Sequence, residues 1–288
     1  MKSLGSKHQP RKRFGQNFLI DHNIIEQILT VVDPQPQDHL VEIGPGLGAI
    51  TERLLPPVAH LDAIELDRDL IAFLTEKFGA DTNKFTLYNA DVLRFDLNTL
   101  ARPPHKFRIV GNIPYNISTP LIFHLLSFAE HIVDIHLMVQ KEVAVRLNSQ
   151  HGSKAYGRLS IMIQHCCQVT QLFDIGPEAF DPPPAVNSAF IRITPDPVKA
   201  AATQNIKLLR NITTAAFNQR RKTIQNALKS LRYHTGDSSD NSIHHGVSAE
   251  TLLAAGITPT LRPEQVSVED YVRLSNILVQ SVRSWHKA

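Results

Sequence analysis

Asn112-Ile113-Pro114-Tyr115 follows an apolar run, Phe107, Ile109, Val110 and Gly111, that reads as a buried parallel strand. The side-chain oxygen of Asn112 and a main-chain oxygen near Ile113 or Pro114 are placed to accept the two hydrogens of an exocyclic amine. Pro114 fixes φ and so holds the carbonyls, and Tyr115 offers a ring to stack on the heterocycle that carries the amine. The tetrapeptide is thus a candidate clamp for a flat aminated base such as adenine. It is equally a candidate turn, because Asn and Pro are ordinary loop residues, and its neighbours have to separate the two readings.

Upstream, Val41-Glu42-Ile43 runs into Gly44-Pro45-Gly46-Leu47-Gly48 and then into the helix-forming Ala49–Leu55. A strand that ends in a glycine turn lets a nucleotide-like ligand approach the backbone at the carboxyl edge of a parallel sheet. Gly44, Gly46 and Ala49 satisfy the dinucleotide pattern G-x-G-x-x-G/A, while Gly44, Gly46 and Gly48 satisfy the G-x-G-x-G of S-adenosylmethionine enzymes. Glu65, ending the next apolar run, suits the two hydroxyls of a ribose. Asp91, ending a third run, is placed to accept from an adenine amine, or else to cap the following turn.

Both cofactor classes fit this half of the chain, and the clamp discriminates between them. A dehydrogenase wants a proton-transfer group such as His, Lys or Tyr beside the hydride acceptor. Amine methylation needs only the amine and a sulfonium methyl held in line. The residues therefore point to methyl transfer from S-adenosylmethionine to an amine, with Asn112, Pro114 and Tyr115 at the reacting end. Phe180, ahead of the stiff Pro182-Pro183-Pro184, is a second aromatic that would sandwich the base if it lay opposite Tyr115; taken alone it reads as core.

The elements that must carry these residues follow from periodicity. Strand-like runs occur at 40–43, 61–64, 85–87, 107–110, 135–139, 169–173 and 189–193, with helical patterns between the first five. That alternation predicts an α/β chain with a Rossmann-like, doubly wound sheet. The last two runs are expected to pair as an antiparallel edge. Asp21 caps a first helix, and Thr194-Pro195-Asp196-Pro197 breaks both periodicities. The expected domains are a basic N-terminal arm over 1–20, a methyltransferase domain over 21–196 and a small all-α RNA-binding domain over 197–288. Helices are expected in the last at about 203–217, 221–231, 248–255 and 269–282, with Ser248 and Ser267 as N-caps.

Arg11–Leu19, the glycine turn, Ile64–Asp67, Gly111–Thr119 and Phe217–Thr223, in this order over nearly the whole chain, resemble the KsgA-type ribosomal RNA adenine dimethyltransferases. The resemblance implies S-adenosylmethionine contacts from Asn17, Leu19, Gly44, Glu65, Asp91 and Asn112, with Asn17 and Leu19 forming a lid over the methionine end. It also implies dimethylation of two adjacent adenines in the 3′-terminal hairpin loop of 16S rRNA, coupled to late assembly of the small ribosomal subunit. Ala185 stands where the family often has Lys, and the polar stretch His234–Ser242 is longer than usual. Competing expectations are an adenine methyltransferase of large-subunit rRNA and a non-catalytic RNA-binding or transcription factor on the same fold.

Charge supports a polyanionic partner. Residues 1–13 hold five Lys/Arg and no acid, and residues 199–235 hold eight and no acid, in a chain of net charge +3 whose remainder is therefore net negative. Arg11, Lys12 and Arg13 in the first segment, and Arg220, Arg221 and Lys222 at the expected start of a helix in the second, are candidate phosphate contacts. The fourteen His lack ligand spacing, so no metal is expected. Adjacent Cys166 and Cys167 read as buried small hydrophobes of a reducing compartment. No secretory signal or bilayer-length apolar run is read, and a cytoplasmic monomer is expected.

Overall fold

The computed structural model describes residues 15–79, 83–102, 104–233 and 244–285, with side chains to residue 280 except that of His244. Arg11, Lys12 and Arg13 of the basic arm, and the polar stretch at 234–242, lie outside the described residues. The described chain forms two compact units, one running to Ala144 and resuming over Thr170–Pro195, the other comprising Val145–Val169 and the chain from Asp196 onward.

In the first unit the strands are β1 (Phe18–Leu19), β2 (His39–Ile43), β3 (His60–Glu65), β4 (Phe85–Asn89), β5 (Phe107–Asn112), β6 (Ile132–Gln140), β7 (Cys167–Ile175), β8 (Phe180–Asp181) and β9 (Ser188–Pro195), the first residues of β7 belonging to the second unit. Seven of them form one sheet in the order β4-β3-β2-β5-β6-β9-β7. Strands β2 to β6 pair in parallel, and β9 is antiparallel to β6. The last two expected strands are neighbours, but the later one slots between β6 and β7, so β7 takes the rim. Every residue of β2 and β3 is buried, as a parallel sheet covered on both faces requires. Chain order reverses at β2, between β3 and β5, which opens a crevice at the carboxyl ends of those strands.

Helix α1 (His22–Val32) forms because Asp21 accepts the N–H groups of Asn23 and Ile24, and it buries Ile25, Ile28 and Val32 on one face. At the amino edge of the sheet, Arg108 of β5 donates five hydrogen bonds. They reach both carboxylate oxygens of Asp134 (2.9 and 2.9 Å), Asp38 Oδ2 (2.8 Å) and the carbonyls of Val32 (2.7 Å) and Asp33 (3.3 Å). Nearby, the fully buried Asp62 lies between two imidazoles, 2.6 Å from His39 Nε2 and 3.1 Å from His60 Nε2. Burial alone would raise the Asp62 carboxyl, but the hydrogen bonds and charges of His39 and His60 prevail and hold it below its ordinary range.

The second unit is mostly helical. After α2 (Thr51–Leu54), α3 (Arg68–Phe78), α4 (Ser118–Leu126) and α5 (Lys141–Asn148), it holds α6 (Arg158–Gln164), α7 (Pro197–Ala201), α8 (Ile206–Asn218), α9 (Ile224–Leu228), α10 (Ala249–Ala254) and α11 (Val268–Trp285). Ser248 and Ser267 accept N–H groups at the starts of α10 and α11. Two expectations need correction. The first helix after the Thr194–Pro197 break is the short α7, capped by Asp196, ahead of the expected start at about 203. Arg220, Arg221 and Lys222 do not open a helix; they lie in the turn between α8 and α9, whose N-cap is Thr223. Cations at a helix N-terminus would oppose the helix dipole, and the chain avoids that by starting α9 later. Cys167 is buried as expected, whereas Cys166 is only partly so.

Candidate active site

A cavity of about 260 Å³ opens at the carboxyl ends of β2, β3 and β5. Asn17, Leu19, Gly44, Glu65, Asp91, Asn112, Pro114 and Tyr115 all line it. Gly44 and Gly46 adopt φ of +67° and +58°, a region that favours glycine. A Cβ on Gly44 would stand 3.2 Å from the Asn112 carbonyl oxygen, and one on Gly46 would stand 3.0 Å from the Phe18 ring. The bare turn is therefore what lets the segment Gly15–Leu19 close over it.

That segment is tied down at several points. Gln16 Nε2 donates to Asp67 Oδ2 at 3.0 Å, and the Asn17 carbonyl accepts from Asn112 Nδ2 at 3.0 Å. Strand β1 pairs antiparallel with β8, setting Leu19 opposite Phe180, and Ile20 N–H donates to the Ala179 carbonyl at 2.9 Å.

Glu65 is 8% exposed, and its Oε1 accepts the N–H groups of Leu66 (2.8 Å) and Asp67 (2.9 Å). Burial raises its carboxyl despite these backbone donors. Its Oε2, with only a 3.4 Å contact from Gly46 N–H, keeps acceptor capacity for a pair of hydroxyls. Asp91 Oδ1 accepts from Leu93 N–H at 3.0 Å to close a turn, and the residue also lines the cavity. The carboxylate and glycine cradle fit the adenosine and amino-acid portions of S-adenosylmethionine.

At the clamp, the hydrogen bond to Asn17 assigns the orientation of the Asn112 amide: with Nδ2 spent on the lid carbonyl, Oδ1 is the remaining acceptor. Pro114 has φ −57°, and its carbonyl accepts from Ile117 N–H at 3.2 Å. Tyr115 Oη is 2.5 Å from Ser188 Oγ, which is fully buried at the start of β9. Burial pushes the Tyr115 phenol up, against the effect of that hydrogen bond, so the ring stays neutral.

Phe180 does not line the cavity. It is 2% exposed and packs with Leu19, Ile175, Ala179 and Phe190 in the core beneath the lid strand. Arg220, Arg221 and Lys222 belong to the second unit and are at least partly exposed.

Sequence reading did not single out Glu42, Gln16 or Ser188. Glu42 lines the cavity at 2% exposure, with Thr51 Oγ1 donating to it at 2.6 Å. Burial pushes its carboxyl up to about 7, the Thr51 bond opposing and the charge of Glu65 adding to the rise. Its place just ahead of the glycine turn was the available signal. Gln16 and Ser188 act through partners distant in sequence, and no local pattern marks them. Among the described residues, no group of three or more His, Cys, Asp or Glu is arranged to hold a metal ion, and no helix is long and apolar enough to cross a membrane.

A doubly wound sheet of this order, with the glycine turn, strand-end acids and a clamp on β5 around one crevice, defines a Rossmann-like methyltransferase that uses S-adenosylmethionine. The chain matches the family described as ribosomal RNA adenine dimethylase over residues 7–278 and belongs to it. It is 48% identical over 272 residues to the ribosomal RNA small subunit methyltransferase A of Pseudomonas fluorescens, covering 94% of this chain and 95% of that one. It is 46% identical over 269 residues to the protein of that name from Shewanella pealeana, covering 93% and 95%. Among solved structures, a dimethyladenosine transferase from Plasmodium falciparum superposes with a TM-score of 0.74 at 23% identity, over 89% of this chain and 95% of that one. The 23S rRNA methyltransferase ErmE gives 0.66 at 25% identity, over 91% and 99%. The protein is an enzyme of this family, and the dehydrogenase and non-catalytic readings fall away.

Proposed function

We propose that the enzyme dimethylates the 6-amino groups of two adjacent adenines in the 3′-terminal hairpin loop of 16S rRNA, acting as a cytoplasmic monomer on the small ribosomal subunit or its precursor. The observation that carries the site assignment is the hydrogen bond from Asn112 Nδ2 to the Asn17 carbonyl, which aims the remaining amide oxygen. Small-subunit specificity is supported by the names of relatives at 46–48% identity, against 25% for the enzyme named for 23S rRNA.

When bound, S-adenosylmethionine supplies an already activated methyl group, so the chain's own residues mainly supply geometry. Asn17, Leu19, Gly44, Glu65 and Asp91 hold the cofactor, with Glu65 on the ribose. The target base leaves its stack at a cost of a few kcal/mol, least in a loop. Tyr115 stacks on it, returning about 1–3 kcal/mol. Asn112 Oδ1 and the Ile113 carbonyl accept the two amine hydrogens; the Pro114 carbonyl is already engaged by Ile117. These acceptors favour a pyramidal nitrogen whose lone pair faces the methyl carbon. Alignment of this kind supplies roughly 7–11 kcal/mol of barrier reduction, and the proton can leave to solvent after transfer. Phe180 supports the site from beneath by anchoring the lid strand. Arg11, Lys12 and Arg13 add phosphate contacts from the arm, and the domain from residue 197 on supplies the others through Arg221 and Lys222.

The test is to incubate the protein with labelled cofactor and either immature small subunits or large subunits, then map the modified nucleotides. Two adjacent dimethyladenines in small-subunit rRNA are expected. Label confined to large-subunit rRNA would overturn the assignment.

A further inference from the structure

Arg220 is committed to protein partners. Its Nη2 donates to the Lys154 carbonyl at 2.7 Å, and its Nε lies 3.6 Å from Glu264 Oε2. The Glu264 carbonyl in turn accepts from Gly152 N–H at 2.6 Å. One guanidinium thus bridges the α8–α9 turn, the loop over residues 149–157 and the short turn at 263–265, all within the second unit. A guanidinium that donates to a carbonyl and lies beside a carboxylate is oriented by the protein, which restricts the two-pronged grip on phosphate that suits arginine.

What the bridge positions is a second set of cations. Lys154 is exposed, and the same bond that fixes its carbonyl sets it one arginine side chain from the backbone carrying the exposed Arg221 and Lys222. Gly152, its N–H held by the Glu264 carbonyl, has φ +84°, and a Cβ there would meet nothing within 4 Å, so the outer side of the loop at that residue faces open space. Residues 143–173 carry three Lys/Arg and no acid, a third acid-free stretch in a chain whose remainder is strongly net negative.

We infer that the 149–157 loop is a second RNA-phosphate contact, with Lys154 acting beside Arg221 and Lys222, and that Arg220 is a positioning residue that holds the loop against their turn. This rests on the RNA-binding reading above and extends it to a segment in the middle of the chain.

The experiment is equilibrium binding of the full-length protein to transcribed small-subunit rRNA over a salt series, with hydrogen exchange of the free proteins. Lys154→Ala should weaken binding and make the salt slope shallower by about 0.7–0.9, the equivalent of one neutralised phosphate. Arg220→Lys keeps the charge but loses the planar fork. It should weaken binding as much as Arg220→Ala, and both should speed exchange of the 150–156 amides. Wild-type affinity and slope in Lys154→Ala would sink the inference alone. So would wild-type binding by Arg220→Lys when Arg220→Ala is weak, since charge would then be all that matters there. Absence of salt-dependent binding by the wild type would sink the RNA reading itself, and this inference with it.

Discussion

At the cofactor crevice, Glu42, Glu65 and Asp67 are buried, and each is held by neutral donors: the Thr51 hydroxyl, the backbone N–H groups of Leu66 and Asp67, and the Gln16 amide. In the second unit, Lys154, Arg221 and Lys222 stand in solvent within segments that contain no acid. The first arrangement holds acidic groups in a medium of low polarity, where their directions are fixed and their hydrogen bonds strong. The second leaves charges hydrated and adjustable, which suits a partner bound by releasing counterions. Chemistry that depends on a fraction of an ångström and recognition that depends on total charge call for opposite solvation.

Substitutions can break this contrast at either end. The largest effect is expected from Asn112→Ala, which removes the aimed acceptor and the tie to the lid. Single-turnover transfer should fall about 10²–10³-fold, by analogy with loss of one oriented hydrogen-bonding group at a reacting centre. Calorimetry should still detect cofactor binding, in weakened form. Tyr115→Ala should cost about 1–3 kcal/mol of transition-state binding by loss of stacking. Tyr115→Phe, which loses only the bond to Ser188, should cost about 0.5–1.5 kcal/mol. Equal losses in kcat/KM for the two variants would remove stacking from the account.

A pH test isolates the buried acid. Because the folded state raises the Glu42 carboxyl from 4.5 to about 7, its neutral form is the one the fold favours. That stabilisation is complete below pH 4.5 and is lost as pH rises to about 7. Glu42→Gln should therefore raise the urea midpoint at pH 8 and leave it near wild type at pH 4. Asp62 acts in the opposite sense: its lowered carboxyl contributes stability above its unfolded value of 3.8 that is lost as pH falls further. The smallest effect belongs to the exposed set, where replacing Arg221 and Lys222 with Ala should reduce the salt slope of RNA binding by about 0.7 for each phosphate no longer neutralised.

The crevice was legible in the sequence because its signals are local: a glycine turn after a strand, an acid at each of two strand ends, and Asn-x-Pro-Tyr at a fourth. Each is written within a few residues, and strand order alone brings them to one edge. Less visible was anything that depends on partners far apart. The insertion of β9 between β6 and β7 has no local signature, and neither does Ser188 reaching Tyr115 across 73 positions. The Arg220 triplet is ambiguous for a physical reason: three adjacent cations look alike in sequence, yet one donates to a carbonyl and lies beside a carboxylate while the other two are exposed. Phe180 was ambiguous because aromatic character serves stacking and core packing equally, and only burial separates the two.

Arg108 sits at the opposite end of the six-residue β5 from Asn112, and its five donors fasten that end to α1, the approach to β2, and β6. A strand pinned at its root cannot slide along its neighbours, so the height at which its tip emerges is decided roughly 13 Å from Asn112. The accuracy of the clamp is in that sense an inheritance from the far edge of the sheet.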